Sequence, residues 1–69
     1  MHRRPVDSSV IAEVGYDRGT RVLEVKLTSG AVYRYLGVPA RDFLGLLAAP
    51  SPGRYYNEQI KATYEFRQV

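Results

Sequence analysis

The sequence predicts an α+β domain: a three-stranded antiparallel β-meander followed by two short helices. Three observations carry this. Apolar and polar residues alternate through positions 10–36, broken by turn residues at 17–20 and 29–30. The period then changes, and Phe43, Leu46 and Leu47 recur at i, i+3 and i+4. With 69 residues and no cysteine, the chain has room for one small core and no disulfide to support it.

Residues 1–8, "MHRRPVDS", carry charge and proline with no apolar period, and are expected to be a flexible basic tail. Residues 9–69 are then a single domain. In "VIAEVGY", 10–16, Val10, Ala12, Val14 and Tyr16 share one face of the first strand, and Ile11, Glu13 and Gly15 the other. "DRGT", 17–20, is a turn, opened by Asp17, with Gly19 supplying a positive φ. "RVLEVKLT", 21–28, alternates most cleanly, with Leu23, Val25 and Leu27 inward and Glu24, Lys26 and Thr28 outward. "AVYRYL", 31–36, is the third strand, rich in aromatic and β-branched residues.

Pro39 suits the first position of a helix, where its missing N–H costs nothing. "ARDFLGLLA" follows, and "APSPG", 49–53, ends it. Ser51 then Pro52 is an N-cap followed by proline at the first helical position, opening a second short helix with Tyr56 and Ile60 on its buried side. "ATYEFRQV", 62–69, reads as a fourth C-terminal strand or as an extended tail lying on the sheet.

The second turn decides where Tyr33 and Tyr35 point, because a one-residue slip moves every side chain to the other face. A two-residue loop, Ser29-Gly30, puts Arg34 opposite Val25 on the core face. A three-residue loop, Ser29 to Ala31, puts Tyr33 opposite Leu27 and Tyr35 opposite Val25, with Arg34 outside facing Lys26. Burying an unpaired arginine costs several kcal/mol. Opposing two like charges on a wet surface costs roughly a few tenths. Inward tyrosines are therefore expected, with Lys26 and Arg34 forming a small basic spot and Glu24 diagonal to it.

Nothing in the chain resembles catalytic machinery. The only histidine, His2, falls in the expected tail, and no nucleophile has a recognisable base nearby. The carboxylates are scattered, no His or Cys cluster suggests a metal, and the six glycines are isolated, so no phosphate-cradling loop is present. No cofactor and no small-molecule substrate is expected. The longest apolar stretch, Phe43–Ala49, is far below the ~20 residues that cross a bilayer, and no apolar segment follows the basic start. A cytoplasmic setting is expected.

The frame from Ser8 to Val69 resembles the KTSC domain family. The residues that carry the likeness are Tyr33 and Tyr35 with Gly37-Val38-Pro39, Ser51 with Gly53, Tyr56-Asn57, Ile60-Lys61 and Tyr64. That family is named after the C-terminal part of some lysyl-tRNA synthetases and also occurs alone in small bacterial proteins. The resemblance implies a stand-alone version and, through the synthetases, RNA as a partner.

Ten basic residues, eight of them arginine, against seven acidic ones leave a net charge of +3. Arginine forks onto phosphate better than lysine does. The expected function is thus a non-catalytic binding module for RNA, tRNA among the candidates. Its candidate contacts are Lys26, Arg34, Arg54, Tyr55, Lys61 and Arg67. The alternative is a protein-interaction module that self-associates through an edge strand of the meander.

Overall fold

The computed structural model describes residues 1–69 and is α+β, but the sheet has five strands. They are β1 (Arg3–Pro5), β2 (Ile11–Asp17), β3 (Val22–Leu27), β4 (Val32–Tyr35) and β5 (Phe66–Gln68), antiparallel and in chain order across the sheet. Helix α1 (Ala40–Ala48), the short α2 (Pro52–Tyr55) and a π-type turn (Tyr56–Ile60) lie between β4 and β5.

The turn between β3 and β4 spans Thr28, Ser29 and Gly30. Leu27 N–H donates to Ala31 C=O at 2.8 Å, Gly30 N–H donates to Leu27 C=O at 2.9 Å, and Gly30 has φ +98°. This is a type I turn closed by a left-handed glycine, a common three-residue hairpin loop. Tyr33 therefore lies opposite Val25, Tyr35 opposite Leu23 and Arg34 opposite Glu24. The tyrosines face the core side, as the cost of burying Arg34 requires. The partner of Arg34 is corrected, however: starting the loop one residue earlier shifts the register by two, which keeps the face and exchanges Lys26 for Glu24.

β2 also departs from simple alternation. Its register with β3 shifts between Ile11 and Glu13, a bulge at Ala12. Ile11 thereby joins Val14 on the buried side, and both are fully buried. In the first turn, Asp17 Oδ1 accepts N–H bonds from Gly19 (2.9 Å) and Thr20 (3.4 Å), but the positive φ belongs to Arg21 (+57°) and not to Gly19. The Arg21 carbonyl accepts from Val38 N–H at 2.9 Å, which ties that turn to the segment leaving β4.

The first residues are not a loose tail, because β1 pairs with β2, with Arg3 opposite Gly15 and Pro5 opposite Glu13. The missing side chain of Gly15 permits it. A Cβ there would lie 2.7 Å from the His2 carbonyl oxygen and 3.0 Å from Arg3 Cγ. At the other edge, the segment 62–69 supplies β5 through Phe66–Gln68, with Phe66 opposite Tyr35 and Arg67 opposite Arg34.

One face of the sheet meets the helices. Ile11, Val14, Leu23, Val25 and Tyr35 pack there against Val38, Leu46, Tyr56 and Ile60. Pro39 is the N-cap of α1, one position earlier than expected, and Leu46 is the helix's buried contact. Ser51 caps α2 as expected, its Oγ accepting from Arg54 N–H at 3.4 Å, with Pro52 at the first position. The helix then widens, and Lys61 N–H reaches back five residues to the Tyr56 carbonyl (2.8 Å). That geometry keeps both Tyr56 and Ile60 buried.

The close approach at Gly15 gives a direct test. Gly15→Ala should push β1 off the sheet edge and lower stability by about 1–3 kcal/mol, the usual cost of overpacking. Chemical denaturation measures the loss, and hydrogen exchange should show Arg3–Pro5 losing protection first.

Candidate nucleic-acid interface

The uncovered face carries a row of charges, one strand after another: Arg3 on β1, Gly15 on β2, Glu24 on β3, Arg34 on β4 and Arg67 on β5. Glu24 is the anchor, with its side chain only 8% exposed. Arg34 Nε donates to Glu24 Oε1 at 2.9 Å. Arg3 Nε approaches Glu24 Oε2 at 3.3 Å and Glu13 Oε1 at 3.6 Å. Gly15 lies between Arg3 and Glu24 in this row, and its lack of a side chain leaves room for the Arg3 stem. A carboxylate this buried is tolerable because two guanidinium groups hold it.

Arg34 spends its Nε on Glu24 but remains 50% exposed, so other donors of its planar fork meet solvent. Arg67 is exposed beside it and joins no ion pair. Together they flank a shallow groove of about 710 Å³ whose walls include Val22, Leu36 and Val69. Lys26 shares this face one pair along β3, opposite Val32. Arg34, Arg67 and Lys26 are thus brought to one surface. Arg3 belongs with them and was missed; nothing in "MHRRPV" marks it, since its partners Glu13 and Glu24 are distant in sequence.

On the helix side of the same edge sits an aromatic cluster. The Phe66 ring packs edge-on to Tyr33 (centroids 5.5 Å apart, 79° between planes) and tilted against Tyr35 (5.7 Å, 42°). Phe66 is nevertheless 53% exposed. Leu27, Tyr33, Tyr35, Tyr56, Lys61 and Phe66 enclose a pocket of about 110 Å³. Small-molecule sites usually measure roughly 300–1,000 Å³, so this one suits no cofactor. Behind it the Tyr35 and Tyr56 hydroxyls hydrogen-bond at 2.5 Å, and burial pushes both phenols above their ordinary pKa, Tyr35 the more strongly.

Two candidates stand apart from this edge. Arg54 Nε lies 3.1 Å from both Glu58 oxygens, an i,i+4 pair on the exposed side of the helical layer. Tyr55 is not a free ring: its hydroxyl donates to Asp42 at 3.1 Å, and its ring lies against Gly45, where a Cβ would overlap it. Asn57 is exposed and borders a polar cleft of about 380 Å³ with Ser8, Ser51 and Arg54, which shares no lining residue with the two pockets at the β4–β5 edge. No group of three or more His, Cys, Asp or Glu is placed to hold a metal, and no helix is long and apolar enough to cross a membrane.

Asp42 also accepts from the Tyr64 hydroxyl, through its second oxygen. This bond fastens the segment that leads into β5 onto α1. The Asp42 carboxylate, first by that hydrogen bond and then with help from burial, pushes the Tyr64 phenol up to about 12 from 10.0. A raised folded pKa means the neutral phenol is the form the fold stabilises. Its contribution is therefore intact below pH 10 and lost as pH rises towards 12. Stability should fall across that window, with the shifts of Tyr35, Tyr55 and Tyr56 acting in the same direction. Denaturation midpoints measured from neutral to alkaline pH check this, and Tyr64→Phe should lower neutral stability while flattening the alkaline fall.

The family model of the KTSC domain matches residues 7–64. A protein of Tsukamurella paurometabola is 43% identical over 61 residues, spanning 88% of this chain and 91% of that one. A lysine–tRNA ligase of Nostoc punctiforme is 36% identical over 63 residues; these span 91% of this chain but 11% of the ligase. The crystal structure of a KTSC domain protein from Yersinia pestis superposes with a TM-score of 0.95 at 38% identity, covering 99% of this chain and 96% of that one. The chain belongs to the KTSC domain family.

Proposed function

We propose that the protein is a non-catalytic RNA-binding module that uses the β4–β5 edge of its sheet. The observation that carries this reading is the pairing of Arg34 with Arg67 on adjacent strands of the uncovered face. Two guanidinium groups side by side, one of them without an acidic partner, favour a phosphate backbone over a neutral surface. Lys61 adds a cation on the other side of the same edge. The net charge of +3 acts in the same sense. Relatives of this domain form part of lysine–tRNA ligases, enzymes named for tRNA, which supports RNA as the polyanion. A cytoplasmic setting suits such a partner. Self-association through an outer strand has less behind it, because β1 and β5 are only three residues long and both carry arginine.

Filter binding to bulk tRNA and to an unstructured oligonucleotide, at about 50 and 200 mM salt, tests the reading. Three cations on phosphates predict a slope of log affinity against log salt near −2, roughly −0.7 per contact on a single strand. Arg67→Glu should weaken binding on the order of ten-fold with unchanged thermal stability. Arg34 is a poorer choice for charge reversal, since a new carboxylate there would face Glu24. Absence of binding even at low salt would remove the proposal.

A further inference from the structure

We infer that the RNA strand engaged is unpaired and that one of its bases stacks on Phe66, beside Tyr33 and close to Lys61, which lines the same pocket; this rests on the RNA-binding reading above. Residues on the uncovered face include Arg3, Lys26, Arg34 and Arg67, but no ring: in the registers of β2 to β5, Tyr16, Tyr33, Tyr35 and Phe66 all share the helix side. A duplex docked on the uncovered face would meet these cations and no aromatic ring. A single strand that wraps the β5 edge meets Arg34 and Arg67 on one side and an aromatic surface on the other.

Phe66 is suited to the second contact. It is a large apolar side chain left 53% exposed, at a position where tyrosine rings on two sides fix its plane. The neighbouring pocket of about 110 Å³ is too small for a whole nucleotide, so a base would lie against Phe66 at the surface and not inside the pocket. Lys61 at its rim supplies the charge that the flanking phosphate needs. Neighbouring residues of a strand face opposite sides, so Arg67 can hold the backbone while Phe66 holds the base. Stacking of this kind tolerates any base, because every base has a π-face.

The test uses the intact chain and an oligouridylate about ten nucleotides long with one central 2-aminopurine, alongside a fully paired RNA hairpin of equal charge. The single strand should bind more tightly than the hairpin, and the 2-aminopurine fluorescence should be quenched on binding. Phe66→Leu, which keeps the bulk that covers Tyr35, should weaken single-strand binding roughly ten-fold and abolish the quenching, while Phe66→Tyr keeps both. Equal binding of strand and hairpin, without quenching, overturns the inference but leaves RNA binding standing. Binding of neither RNA removes both. If Phe66→Leu fails to fold, the wild-type preference and quenching still decide the matter.

Discussion

The three-residue turn Thr28–Gly30 is the constraint on which the rest depends. Its left-handed glycine places Arg34 opposite Glu24, and that pairing settles both faces of the sheet at once. Tyr33 and Tyr35 go to the helices, and the guanidinium goes to solvent. Had the loop held two residues, Arg34 would lie among Val25 and its neighbours. The several kcal/mol needed to bury it would rival the whole stability of a domain this small. The facing of the strand is therefore enforced twice, once by backbone geometry and once by charge, and the turn alone selects the register.

From that register follows the cross-strand row that joins the two ends of the chain. Glu24 lies near the middle of the sheet, and the chain reaches it from both sides. Arg34 comes from the next strand, and Arg3 from the N-terminal edge, across the gap left by Gly15. The outer strand β5 is placed from both faces, through the ladder to β4 and through the Tyr64 bond to Asp42. The binding edge proposed for the protein is thus built from residues far apart in sequence but anchored to the same few central side chains.

Much of this was legible in the amino-acid pattern, and the exceptions share a cause. The strands around 10–35, helix α1 and the Ser51-Pro52 start all have local signals, either alternation or a cap, and those signals match the structure. The inward tyrosines were legible because an energetic argument separates the two faces. The pairing of Arg34 with Glu24 was not, because registers two residues apart give the same faces. β1 and the role of Arg3 carry no local signal at all: "RRP" becomes a strand only because Gly15 and Glu24 receive it. The bulge at Ala12 is equally silent in the alternating pattern, and only the burial of Ile11 shows it. Among the candidate contacts, Arg34, Arg67 and Lys61 gather at one edge with Lys26 further along the open face. Tyr55 is taken up by Asp42, a partner thirteen residues away that no short motif announces.

"AVYRYLGVP" is accordingly a two-sided element. Tyr33 and Tyr35 hold Phe66 and the buried Tyr56, and Arg34 stands on the opposite face next to Arg67. The measurement that bears most directly on this account is an NMR titration of the labelled protein with a short single-stranded RNA. The amides of residues 33–35 and 66–68, together with that of Lys61, should shift in a single saturable process. Shifts confined to the polar cleft around Ser8, Ser51 and Asn57, or no shifts at low salt, would contradict it.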